Sequence, residues 1–173
     1  MKIVMVTGLS GSGKSAALHA LEDIGYYAVD NLPLPLLPRL VKLIAQTQED
    51  DHAPLVVDAR SGEFIQNHSV VFDALRADGH EIEVLFLDAP KEVLVRRFSE
   101  TRRRHPLAQN DVVQGIRAER KLLEPLKEEA VDVINTGTLN PHDLKRRIWE
   151  RYGGKKEEMS VNLLSFGFKY GLP

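Results

Sequence analysis

Short, near-continuous apolar runs alternate along this chain with longer stretches in which apolar residues return every three or four positions. The runs at 3–6, 26–29, 55–57, 84–87 and 131–134 predict strands, and the stretches at 15–24, 36–44, 64–77, 92–103, 112–130 and 142–151 predict helices. Consecutive apolar residues mark strands buried on both faces, as in a parallel sheet covered by helices on either side. The pattern therefore predicts an α/β fold, a three-layer sandwich around a five-stranded parallel sheet. Gly79-His80 and Pro141 are expected breaks, and Pro33, Pro35 and Pro38 make the entry to the second helix irregular. A polar residue follows or ends each predicted strand: Thr7, Asp30, Asp58, Asp88 and Asn135. Ligands of such sheets bind at the carboxyl ends of the strands, so one edge of the fold is expected to collect this chemistry.

Between the first strand and the first helix stands Gly8-Leu9-Ser10-Gly11-Ser12-Gly13-Lys14-Ser15, which fits the phosphate-loop pattern G-x-x-x-x-G-K-[ST]. The flanks agree with it: Ile3, Val4, Met5 and Val6 precede it, and Ala16, Ala17, Leu18, Ala20, Leu21 and Ile24 follow at helical spacing. Glycines let the main chain wrap closely around phosphate oxygens, and the amides at the helix start face them. Lys14 brings a positive charge to the outer phosphates, and the Ser15 hydroxyl is a ligand for Mg²⁺. Gly8 to Ser15 are thus the expected nucleotide contacts, with Lys14 and Ser15 also expected to serve the chemistry.

Further along, Asp58 ends an apolar run, where a carboxylate holds Mg²⁺ through water while Ser15 ligates it directly; an aspartate there also suits a cap on the turn Arg60-Ser61-Gly62. Asp30 would orient an acceptor hydroxyl or a water beyond the last phosphate, although Asp30-Asn31-Leu32-Pro33 is equally good turn chemistry. Three consecutive arginines, Arg102, Arg103 and Arg104, stand just before His105-Pro106. Their guanidinium groups suit a lid that closes on phosphates, contact with an RNA backbone, or a solvated helix face on which Glu100 pairs with Arg96 or Arg104. No two of the six histidines stand at metal-ligand spacing, so a zinc site is not expected.

Composition narrows the picture. At 173 residues, 43% apolar and 28% charged, the chain suits a soluble domain with a full core. The absence of cysteine excludes disulfides and thiolate chemistry and suits a reducing cytoplasm, and no run approaches membrane-spanning length. Met1-Lys2-Ile3 opens on too short an apolar stretch for a signal peptide. Net charge is −2, yet 91–121 holds nine Lys or Arg against four Asp or Glu, a basic segment that implies an anionic ligand or contact with the acidic body. The charged, glycine-containing stretch 153–160 reads as a linker after a main domain, 1–152; 161–173 then suits either a strand added to the sheet's edge or, the favoured reading, the start of a further domain.

The order of these segments resembles the RapZ (YvcJ-like) family of bacterial nucleotide-binding proteins. Besides the phosphate loop, the resemblance rests on Leu21-Glu22-Asp23-Ile24-Gly25-Tyr26-Tyr27, Asp30-Asn31-Leu32-Pro33, Val57-Asp58-Ala59-Arg60 and Arg102-Arg103-Arg104-His105-Pro106-Leu107. The segment Ser165-Phe166-Gly167-Phe168-Lys169-Tyr170-Gly171 is similar to the opening of that family's C-terminal domain. The resemblance implies binding and slow hydrolysis of ATP and GTP, with ATP on Gly8 to Ser15 and a GTP-contacting segment at Asp58, Ala59, Arg60 and Ser61. It also implies, in the longer family protein, an RNase adapter role in which small regulatory RNA is presented to RNase E to control amino-sugar synthesis, mainly through the C-terminal domain. A homo-oligomer is among the assemblies it allows. Two other readings stand beside it: a small-molecule kinase with Arg103 in its lid, and a pure RNA-binding module. No Asn-Lys-x-Asp base-reading segment is present, and Asn135-Thr136-Gly137 is the loop expected near the base.

Overall fold

The computed structural model describes residues 1–47, 54–58, 68–101, 105–107 and 111–153. In chain order these form β1 (Lys2–Gly8), α1 (Lys14–Glu22), β2 (Tyr27–Val29), a 3₁₀ turn (Leu34–Leu36), α2 (Leu37–Thr47), β3 (Leu55–Asp58), α3 (His68–Ala77), β4 (Glu81–Asp88), α4 (Lys91–Thr101), α5 (Val112–Glu128), β5 (Asp132–Asn135) and α6 (Pro141–Tyr152). The strands make one five-stranded sheet in the order β2-β3-β1-β4-β5. Every pairing is parallel. The α/β sandwich expected from the apolar pattern is the architecture observed.

Alternation along the central strand sorts the core into two layers. Ile3 and Met5 of β1 face one side, with Leu55, Val57, Val84 and Phe86 beside them, under α2 to α5 through Leu37, Val41, Phe72, Leu75, Leu94, Ile116 and Leu123. Val4 and Val6 face the other, with Val56, Leu85, Leu87 and Ile134, under α1 and α6 through Ala17, Leu18, Leu21, Leu144 and Ile148. Successive side chains of a strand point to opposite faces, so an unbroken apolar run serves both layers at once. Burying each such Leu or Ile contributes about 2 kcal/mol, which is why β1, with both faces covered, anchors the loop that follows it.

Where elements differ from their expected bounds, local contacts explain it. β4 starts at Glu81, upstream of its apolar run, because it pairs with β1 from Lys2 onward. Glu83 within that extension is held by Lys2 at 2.8 Å. The proline-rich entry to α2 forms a 3₁₀ turn, closed by Leu36 N–H on the Pro33 carbonyl at 2.9 Å. Asp111 caps α5 by accepting from the Val113 amide at 2.8 Å. Asn140 caps α6 by accepting from the Asp143 amide at 2.9 Å, with Pro141 in its first turn. The expected helical residues 64–67, 102 and 103, and the expected domain start at 161–173, lie outside the described residues.

Candidate functional site

β1 sits between β3 and β4, and residues 9–13 leave its carboxyl end to enter α1. Gly8 has φ 136°, and a Cβ built there would strike the Leu87 carbonyl of β4. That same carbonyl accepts from the Leu9 amide at 3.2 Å, so the loop leaves the sheet pressed against its neighbour. Gly11 (φ 81°) and Gly13 (φ 105°) are also left-handed. The Ser12 amide donates to the Leu9 carbonyl at 3.0 Å and closes the turn. Lys14 is only 7% exposed, and its Nζ donates back to the Gly8 and Leu9 carbonyls at 2.7 and 3.1 Å.

The start of α1 differs from the starts of α5 and α6. Gly13 caps it in the left-handed conformation with no side-chain hydrogen bond, and the first turn carries no acidic residue. A helix start concentrates amide donors and the positive end of the helix dipole. Neither the cap residue nor the first turn supplies a side-chain anion here, an arrangement that suits a phosphate.

Two side chains brace the loop from outside. Arg97 of α4 donates to the Gly11 carbonyl at 2.9 Å and to the Thr136 carbonyl and hydroxyl at 2.7 and 3.1 Å. The Thr136 hydroxyl in turn donates to the Ser12 carbonyl at 2.8 Å. Burial, with Arg96 beside it, holds Arg97 below the usual guanidinium value. At Ser10, Glu119 of α5 accepts from the amide at 2.8 Å and from the hydroxyl at 2.6 Å. Glu119 also meets His105 Nε2 at 3.1 Å.

The oxygen donors expected for Mg²⁺ flank this loop. Asp58 is fully buried at the end of β3, in register with Val6. Ser15 is exposed in the first turn of α1. Such a hard-oxygen pair fits Mg²⁺, which takes one or two protein ligands and completes its shell with phosphate oxygens and water. Among the described residues no group of three or more His, Cys, Asp or Glu is placed to hold a metal by itself. The Thr7 and Ser12 hydroxyls are buried beside the loop and have no hydrogen-bond partner among the described residues.

A family model described as the RapZ-like N-terminal domain matches residues 1–156. The chain belongs to the RapZ-like family. It is 49% identical to a "Nucleotide-binding protein" of Myxococcus xanthus (strain DK1622), over 99% of this chain and 60% of that protein. It is 47% identical to a protein of the same description from Citrifermentans bemidjiense, over 100% of this chain and 62% of that one. The chain thus spans about three fifths of the length of these curated relatives. By fold it is similar to shikimate kinase from Acinetobacter baumannii, with TM-score 0.58 and 18% identity over 86% of this chain and 91% of the other. A gluconokinase from Sinorhizobium meliloti 1021 gives TM-score 0.53 and 20% identity over 85% and 89%. These likenesses are of fold.

The RapZ-like chain brings Gly8 to Ser15, Asp58, Thr136 and the end of β4 to one edge of the sheet, as the strand-end pattern predicts. Asp88 is engaged there by Arg120 at 2.8 Å and Lys127 at 3.0 Å. Asp30 is exposed after β2, and Asn31 follows it with φ 55°. The next amide, that of Leu32, donates to the Asp58 carbonyl at 3.0 Å, so this turn is tied to the end of β3. Trp149 of α6 is partly exposed and donates from Nε1 to the Ala20 carbonyl at 2.9 Å. Ala59, Arg60 and Ser61, and Arg102, Arg103 and Arg104, lie outside the described residues. Glu119 was not anticipated. Its signal was present, since it interrupts an apolar stripe of α5 whose other members, Ile116, Leu123 and Leu126, are buried.

Proposed function

We propose that this chain is a nucleotide-binding domain that holds the phosphates of ATP or GTP on Gly8 to Ser15 and hydrolyses them slowly. The observation that carries the reading is the uncapped, left-handed start of α1 at Gly13 with the buried Lys14 curled beneath the loop. The names of the curated relatives support it. In this reading main-chain amides and Lys14 bind the phosphate oxygens, while Ser15 and Asp58 hold Mg²⁺, which offsets phosphate charge when bound. Water attacks the γ-phosphorus, the bond to the bridging oxygen breaks, and the nucleoside diphosphate and inorganic phosphate leave. Arg103 is assigned to offset charge on the transferring group from the chemistry of a guanidinium lid, and Ala59, Arg60 and Ser61 to contact GTP on the strength of the sequence resemblance.

We assign 1–152 to this domain, 153–160 to a linker and 161–173 to the start of a C-terminal domain. The greater length of the curated relatives supports that division. The RNase adapter role, with small regulatory RNA and RNase E as partners, belongs in this reading to the longer protein in the cytoplasm. Among the described residues no helix is long and apolar enough to cross a membrane.

Calorimetry with ATP, GTP and ADP, with and without Mg²⁺, tests the site on the wild-type chain and on Lys14→Ala. Magnesium-dependent binding that Lys14→Ala abolishes is the expected result; equal binding by both proteins refutes the assignment. A second reading, a small-molecule kinase, draws on the kinase-like fold and on Asp30 after β2. An acceptor alcohol that raises turnover by orders of magnitude would favour it.

A further inference from the structure

Glu119 lies 109 residues from Ser10 in the chain, yet it takes up both hydrogen-bond donors of that loop residue. Its third contact fixes a direction. The Leu107 amide donates to His105 Nδ1 at 3.1 Å, so Nδ1 is the acceptor and the proton of a neutral ring sits on Nε2. Nε2 therefore donates to Glu119 Oε2 at 3.1 Å. One carboxylate receives three donors, two from the loop and one from a histidine that is only 2% exposed and lies against the Phe98 ring at 5.0 Å between centroids. A carboxylate that interrupts an apolar stripe is costly unless its lone pairs are met, and here they are. The result is a strut from α5 to the loop at Ser10, separate from the brace that Arg97 makes at Gly11.

We propose that Glu119 is a positioning residue, held by His105, that presets the loop from Gly8 to Gly13 in its phosphate-receiving shape. This rests on the reading of that loop as a nucleotide site. Left-handed glycines make a loop mobile when nothing outside holds it, and a site preset before binding avoids the entropy of ordering it at the moment of binding. Because Glu119 acts on the loop's shape, its removal weakens ATP, ADP and GTP alike.

Glutamine separates hydrogen bonding from charge at this position. With its oxygen in place of Oε2 it accepts from the Ser10 amide and from His105 Nε2, and its amide donates to the Ser10 hydroxyl. Glu119→Ala should lower affinity for ATP, ADP and GTP by about tenfold each, the size of a lost charge-assisted hydrogen bond or two. Glu119→Gln should keep most of the wild-type affinity. Ser10→Ala, which retains the amide contact and the fold, should give a smaller, equally base-independent loss; it stands in if Glu119→Ala does not fold. The measurement is calorimetric titration with each nucleotide and Mg²⁺, at a temperature where circular dichroism shows each variant folded. Wild-type affinity in Ser10→Ala and in a folded Glu119→Ala overturns the proposal, as does an equal loss in Glu119→Ala and Glu119→Gln. A wild-type chain that binds no nucleotide overturns the underlying site and this proposal with it.

Discussion

The Arg97 guanidinium grips Thr136 twice, at the carbonyl (2.7 Å) and the hydroxyl (3.1 Å), while also reaching the Gly11 carbonyl at 2.9 Å. One side chain of α4 thereby joins the phosphate loop to the loop after β5, the segment expected beside the base. Arg97→Ala should lower nucleotide affinity by about tenfold, close to 1.4 kcal/mol, as two loops lose a shared charged donor. Lysine should recover only part of this, because a single ammonium does not reproduce the fork. Titrations of the three proteins with ATP decide it, and an Arg97→Ala titration that overlays the wild type removes the brace from the account.

Gly8 should tolerate no side chain. A Cβ would meet the Leu87 carbonyl, and φ 136° is strained for any other residue. The clash involves main chain on both sides, so neither side can swing away. Gly8→Ala is expected to cost about 3 kcal/mol or more in stability, read as a fall in the midpoint of thermal unfolding. At Gly25, where φ is 91° and a Cβ would meet nothing within 4 Å, alanine should cost less, since only the backbone term remains.

Asp88 should make stability depend on pH in acid. Burial raises its pKa, but the hydrogen bonds from Arg120 and Lys127 outweigh it and hold the carboxyl below its ordinary value of 3.8. A carboxyl whose folded value is depressed binds protons more readily when unfolded. Its contribution is therefore complete above the unfolded value and is lost as pH falls through the folded one. Asp88→Asn should destabilise by about 1–2 kcal/mol at pH 7, a modest cost because both cationic partners are partly exposed. The gap between variant and wild type should narrow below about pH 4. Urea unfolding at pH 7 and pH 3 checks this; a gap of equal size at both would place the effect elsewhere.

Asp58→Asn should separate binding from chemistry. The side chain keeps its volume at a fully buried position but loses the charge assigned to Mg²⁺. Nucleotide without Mg²⁺ should bind within a few-fold of wild type, whereas the gain in affinity on adding Mg²⁺ should largely disappear, and hydrolysis should fall by about a hundredfold. An unchanged magnesium effect would leave Asp58 as a turn cap, the other role its position suits.

The strands and the loop were legible because each rests on local or periodic information. Residues 3–6 are apolar in succession because both faces of β1 are covered, and Gly8 and Gly13 are glycine because the backbone there takes positive φ. The upstream half of β4 was missed because Glu81-Ile82-Glu83 alternates, and its pairing with Lys2 and Ile3 is a relation between distant segments.

By itself the sequence determined the layered α/β class, the phosphate loop and the polar ends of the strands, since a short segment's pattern carries each of these. Only the tertiary structure decided what holds the loop. Glu119 and Ser10 are 109 residues apart, and Arg97 and Thr136 are 39 apart. Their meeting follows from packing across the sheet: β4 separates β1 from β5, yet α4, α5 and Thr136 after β5 all reach the loop that leaves β1. A carboxylate in the apolar stripe of α5 marks a buried polar contact, but the identity of its partner is a property of the packing, which no local periodicity encodes.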